Sequence, residues 1–434
     1  MTVKTIESKS LKEKMILKEL PNGLKIFFMP KEGYTKQYAI FATRYGSNDS
    51  EFIIPGENQA TKVTDGIAHF LEHKLFEEPE GSIFDKFSEL GSNVNAYTNF
   101  TSTCYLFSST DRFYENLELL INFVQSPYFT DENVEKEKGI IGQEIRMYED
   151  NPNWKVFFNG LKAMYHNYPV KIDIAGTVQS ISKITKEDLY KCYNTFYDPS
   201  NMIVFIVGDI KQDKVFSIIE RLQKKESKTE KDIERIYPEE PDTIVQNIIE
   251  EKLDVAIPLF NIAFKDIDNN LSPKELLQKD IATKIILDML FGKSSDLYMS
   301  LYEEGLINDT FENEYTGEID YGYSMLGGES KSPKKVLERV LAHIDKLKGT
   351  GLNEKDFERI KKKHIGQHIS YYNSVEFIAT TFVAYYFKGI NIFDYVEALK
   401  NIEFEAVQKR FREHFNRERC VLSIISPKSF EQNE

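Results

Sequence analysis

Residues 66–76, Gly-Ile-Ala-His-Phe-Leu-Glu-His-Lys-Leu-Phe, place apolar and polar positions at helical spacing with no internal proline or glycine. That predicts a helix. Alternating and apolar runs around it predict strands over residues 24–29 and 37–43, a hairpin over 93–98 and 103–108, and a buried strand over 202–209. Helical periodicity covers 82–91, 112–124 and 130–150, with Thr130 or Asp131 as N-cap of the last, and a further helix opens behind Thr185.

The second half repeats this layout. A strand is expected over 259–264, an apolar helix over 279–291 where the first half carries its His-containing helix, an amphipathic helix over 334–348, and a closing strand over 420–425. Leu352-Asn353-Glu354-Lys355-Asp356-Phe357 echoes Phe129-Thr130-Asp131-Glu132-Asn133-Val134, and each opens a long charged helix. The pattern is a duplicated α+β unit of roughly 200 residues. The expected division is 1–225 for a first domain, 226–245 for a charged, solvated linker, and 246–434 for a second domain.

At 434 residues two or three cores are expected, and 41% hydrophobic residues can fill them. A net charge of −14 offers no basic face, which argues against nucleic acid as a partner. Cys104, Cys192 and Cys420 are odd in number and far apart. They suggest neither a disulfide framework nor a thiolate metal site, so a reducing compartment fits. Residues 1–7 have no apolar signal core and no apolar run reaches about 18 residues, so neither secretion nor a membrane span is expected, and a cytoplasmic location is.

The chemistry concentrates in His69-Phe70-Leu71-Glu72-His73. At 3.6 residues per turn, positions 69, 72 and 73 share one face. Two imidazoles four apart can hold one Zn²⁺, with Glu72 beside the metal to take a proton from its water. The Glu directly precedes the second His, the inverted order of the zinc-protease motif. Such a site needs a third protein ligand. The helix after Thr130 offers Glu135, Glu137, Glu144 and Glu149. Glu137 and Glu144 lie two turns apart on one face, so one can reach the metal while the other supports it from behind. His364 and His368 are also four apart, but Lys361, Lys362 and Lys363 crowd them, and they read as surface residues. The aromatic stretch 371–387 and the lone Trp154 read as packing residues.

The chain resembles the pitrilysin/insulinase family of zinc metallopeptidases (M16, the inverzincins), in particular its short two-domain bacterial members, the YmfH-like group. The resemblance rests on His69-Phe70-Leu71-Glu72-His73, on Asn95-Ala96-Tyr97-Thr98 with Thr103-Cys104-Tyr105, on Glu137 with Gly142-Gln143-Glu144, and on Gly176, Asp198-Pro199-Ser200-Asn201 and Val207-Gly208-Asp209. It implies an M16/LuxS-like metallohydrolase fold, in which two homologous domains, each a mostly antiparallel sheet packed with helices, form half of a peptide-enclosing chamber. It implies one zinc per chain on His69, His73 and Glu144, with Glu137 supporting and Glu72 as general base. Asn95 and Ala96 match the edge strand that pairs with substrate backbone. The implied activity is hydrolysis of extended peptides or unfolded segments; the rival is a non-catalytic or chaperone-like peptide-binding subunit. Active relatives often carry a substrate-binding Arg and Tyr in the second domain, but Tyr302 stands at the Arg position here and Asn308 near the Tyr position. The resemblance therefore implies a partner, either a zinc-less paralogue in a heterodimer or a second copy in a homodimer.

Overall fold

Seven strands of the first unit form one sheet: β1 (Val3–Ser8), β2 (Glu13–Glu19), β3 (Lys25–Pro30), β4 (Gln37–Thr43), β5 (Asn93–Thr98), β6 (Thr103–Ser109) and β7 (Met202–Gly208). Their order is β1-β2-β3-β7-β4-β6-β5, so β5 lies at an edge. All neighbours are antiparallel except β7 beside β3. The computed structural model describes residues 3–79, 81–223 and 233–428.

Side chains alternate across a strand, so each strand serves two layers. On one face Phe28, Phe41, Tyr105 and Phe107 enter a core with Phe70, Leu71, Leu120 and Phe123, all essentially without solvent exposure. On the other face Phe27 and Phe205 meet Phe382, with ring centroids 4.6 and 4.4 Å away. Phe382 belongs to a helix, Val375–Tyr386, from far along the chain. The aromatic stretch thus packs on a sheet, as expected of it.

In the second unit, β8 (Ile248–Leu253), β9 (Leu259–Asp266), β10 (Glu312–Gly317), β11 (Gly322–Glu329) and β12 (Cys420–Pro427) order as β8-β12-β9-β11-β10. Here too one pair, β8 with β12, is parallel and the rest antiparallel. This reproduces β3-β7-β4-β6-β5 strand for strand, so the repeat read from the sequence is a repeat of topology, with β1 and β2 added to the first copy.

The compact units are not the contiguous stretches 1–225 and 246–434. Unit 1 comprises 1–145, 172–238 and 371–387; unit 2 comprises 146–171, 239–370 and 388–434. The reason is side-chain burial. Helix Pro152–Met164, capped by the Asn151 side chain with Pro152 in its first turn, buries Val156, Leu161 and Met164 and packs on β12 and β9, while Val375–Tyr386 covers β4 and β7. Nor is the expected linker solvated throughout. Residues 226–232 lie outside the described residues, but Arg235 pairs with buried Asp49 at 3.1 Å in unit 1. In unit 2, Glu240 accepts the backbone N–H groups of His166, Asn167 and Tyr168 at 2.7–2.9 Å. Charged composition mimics a linker where the charges are in fact paired. Among the described residues no helix is long and apolar enough to cross a membrane.

Candidate metal centre

The metal-motif helix, α1 (Ile67–Leu75), is buried on nearly every side, against β5, β6 and the helix Lys186–Phe196. Its start is fixed by two glycines. Gly66 has φ 90°, and a Cβ there would lie 2.4 Å from the Ala175 carbonyl oxygen. Gly176 has φ 73°, and its Cβ would lie 2.6 Å from the Asp65 oxygen. Only glycine allows both this backbone and this close approach.

The long helix α2 (Asp131–Glu149), with Thr130 accepting the Asn133 N–H at 3.1 Å, brings its carboxylates alongside. His69, His73 and Glu144 each offer a donor atom, and the three atoms lie within 4.8 Å of one another. Glu144 spans the pair: Oε1 is 3.7 Å from His69 Nε2, and Oε2 is 3.4 Å from His73 Nε2. Glu137 approaches from behind, its Oε1 3.2 Å from His73 Nδ1. Glu135 and Glu149, the other carboxylates that this helix offers, are exposed.

Glu72 is 7% exposed and accepts a hydrogen bond from Thr98 Oγ1 at 2.9 Å. Burial pushes its carboxyl up to about 7, against the smaller opposing pull of His73 and the Thr98 hydrogen bonds. Burial, and then His73, pull His69 down to about 3, so its imidazole is neutral and its lone pair is available to a metal. His73 goes the other way. Burial lowers it, but the Glu137 hydrogen bond with the charges of Glu72 and Glu144 outweighs burial and raises it. The pocket therefore gathers negative charge around one imidazole, an environment that favours a cation. Two imidazole nitrogens and one carboxylate, with an outer carboxylate on the second ring nitrogen of a ligand, are the donor set of a catalytic zinc site. The residues fit the metal.

Asn95 and Ala96 sit on edge strand β5, whose inner side pairs with β6. The Asn95 carboxamide accepts the Ala96 N–H at 2.9 Å, so that donor is held by its own neighbour. Two further side chains serve the site without any mark in the motif spacing: Thr98, the hydroxyl on Glu72, and the buried Lys74. In unit 2, the surface reading of the second histidine pair fails. His368 is buried and stacks on Tyr395 at 4.2 Å, and His364 Nε2 lies 3.1 Å from Asp288. Tyr302 is exposed, and the Asn308 amide donates to Glu329 at 2.9 Å.

Residues 52–178 match the family model for insulinase (peptidase family M16), and 183–363 match that for the M16 inactive domain. The uncharacterized zinc protease YmfH of Bacillus subtilis is 43% identical over 428 residues, covering 98% of this chain and all of that one. The chain belongs to the M16 family. Solved structures agree on the fold. An M16-like peptidase from Alicyclobacillus acidocaldarius, seen in a crystal structure, superposes with a TM-score of 0.92 at 39% identity, covering 99% of both chains. A Helicobacter pylori protease shares the fold at 20% identity, with a TM-score of 0.81 over 96% of this chain and all of that one. The family's fold, two domains of helices packed on sheets, is the fold described above.

Proposed function

We propose that this chain is a zinc-dependent endopeptidase that hydrolyses extended peptides or unfolded segments. The convergence of His69, His73 and Glu144 around one point, with buried Glu72 beside it, carries the reading. His69, His73 and Glu144 would hold one zinc, with Glu137 fixing the His73 ring. Bound there, zinc supplies a Lewis acid and a water acidic enough to lose its proton near neutral pH. Glu72, poised near pH 7 and aimed by Thr98, accepts the proton of the attacking water and returns it to the departing amine. The outer side of β5, with Asn95 and Ala96, supplies main-chain pairing to an extended substrate once the Asn95 carboxamide swings off Ala96.

The chain lacks the Arg and Tyr expected of a complete substrate clamp, and exposed Tyr302 with Glu329-bound Asn308 fill that stretch instead. The same observation supports a partner subunit, a zinc-less paralogue or a second copy, that supplies the missing groups. It also favours the second reading, a peptide-binding subunit without turnover. Three buried, unpaired cysteines are consistent with work in the cytoplasm. Digestion of a mixed peptide pool by the zinc-loaded chain, alone and with candidate paralogues, separates the readings. Cleavage lost in Glu72→Gln supports the peptidase; peptide binding without cleavage in every combination supports the binding subunit.

A further inference from the structure

Lys74 follows the second histidine of the motif and is completely buried. Burying an ammonium is costly unless anions and hydrogen bonds compensate. Here two carboxylates do so. Lys74 Nζ donates to Glu77 Oε2, in the short strand Glu77–Glu78 just after α1, and lies 3.7 Å from Glu137 Oε2. The other oxygen of Glu137, Oε1, is the one 3.2 Å from His73 Nδ1. One carboxylate thus bridges a lysine and a ligand histidine, one oxygen to each. A terminal carboxylate torsion is broad when only one oxygen is held. With Oε1 on the His73 ring and Oε2 drawn toward the ammonium, the carboxylate's orientation is restricted, and with it the ring it holds.

We infer that Lys74 is a positioning residue of the metal centre: it anchors the far oxygen of Glu137 so that the near oxygen fixes the orientation of His73. Glu77 completes the device by accepting a hydrogen bond from the same ammonium. The series Glu77, Lys74, Glu137, His73 alternates anion, cation, anion and ligand, and it runs from the strand just after α1 to the metal face. Lys74 is completely buried and is not one of the three residues whose donor atoms converge, so it acts on them through Glu137. This rests on the metal reading proposed above.

The test uses the full chain and zinc alone, with affinity read by competition against a chromophoric chelator and geometry read from the visible spectrum of the cobalt(II)-loaded protein. Outer partners of metal ligands are worth about 10–100-fold in metal affinity. Lys74→Met, which keeps the stem and deletes the charge, is expected to weaken zinc about tenfold and to alter the cobalt spectrum. Glu137→Gln is expected to weaken zinc by a similar or larger factor. The double variant should be no weaker than Glu137→Gln alone, because the lysine has nothing left to anchor. Unchanged zinc affinity in Lys74→Met, even with a lowered melting temperature, would make the lysine a packing residue only and overturn the proposal; so would two losses that multiply. If Lys74→Met fails to fold, Lys74→Gln answers in its place by the same criteria. A wild-type chain that takes up no zinc defeats the metal reading itself; one equivalent of zinc with an unaffected lysine variant defeats this inference alone.

Discussion

Glu72→Gln separates the two things the buried carboxylate does, and both can be sized. The Gln side chain keeps the shape of Glu72 and can still accept the 2.9 Å hydrogen bond from Thr98. It cannot take a proton. A positioned general base contributes about 10²–10⁴ in rate, about 3–5 kcal/mol of barrier at 1.36 kcal/mol per decade. The second effect is on stability. In the metal-free protein burial raises the carboxyl from 4.5 to about 7. Between those values the folded state binds the extra proton, so the contribution of Glu72 is intact below pH 4.5 and is lost as pH rises through 7. The ceiling on that loss is about 3 kcal/mol, since each pKa unit corresponds to 1.36 kcal/mol. The neutral variant escapes it. With metal removed by chelation, Glu72→Gln should therefore unfold at higher urea than the wild type at pH 8 and at nearly the same urea at pH 5. Loaded with zinc, it should retain one equivalent while peptide cleavage falls at least a hundredfold. Undiminished cleavage would refute the base assignment, and a metal-free variant less stable than wild type at pH 8 would refute the account of the buried carboxyl.

Gly66→Ala should cost about 2–4 kcal/mol in urea unfolding, the sum of a left-handed backbone and the overlap with the Ala175 oxygen, and should weaken zinc as α1 shifts; wild-type stability in that variant would remove the glycine argument. In unit 2, Arg410 Nη1 donates to buried Asp266 at 3.1 Å, and Lys279 lies 3.4 Å from the same carboxylate. Arg410→Met should cost about 3 kcal/mol, the lower end for a broken buried pair because Lys279 remains, and a midpoint unmoved in urea would contradict this. His414 is fully buried and takes the Arg410 Nη2 hydrogen bond on Nδ1 at 3.2 Å; burial and then Arg410 pull it down to about 3. The unfolded chain binds this proton below pH 6.5 and the folded one does not, so stability should fall by about 1.4 kcal/mol per pH unit between pH 6 and 4 from this group. His414→Gln should lessen that slope by one proton, and an identical slope would show that His414 is not held neutral.

The site was legible because its chemistry is written at fixed spacings. His69, Glu72 and His73 share a face by helix geometry alone, and the seven-residue step from Glu137 to Glu144 put one carboxylate on the metal side and one behind it. The strand repeat was legible because buried strands such as 202–207 and 420–425 are apolar without interruption. What stayed hidden depends on partners distant in sequence. Nothing in the sequence marks Lys74 as buried, and only Glu137 and Glu77 together explain its burial. His368 lies among lysines in sequence but against the Tyr395 ring in space. β1 and β2 carry more charged than apolar positions, and helix Pro152–Met164 gives no hint of which sheet it covers. Residues 233–243 look like a linker until Asp49 and the 166–168 backbone show what Arg235 and Glu240 hold.

Metal content decides the central claim most directly. The purified full chain, dialysed against trace zinc and assayed by elemental analysis, should hold one zinc per chain. The variants His69→Ala, His73→Ala and Glu144→Gln should each fall well below that ratio while keeping a folded circular dichroism spectrum. Zinc absent from the wild type, or retained at one equivalent after loss of any two of these side chains, would contradict the account.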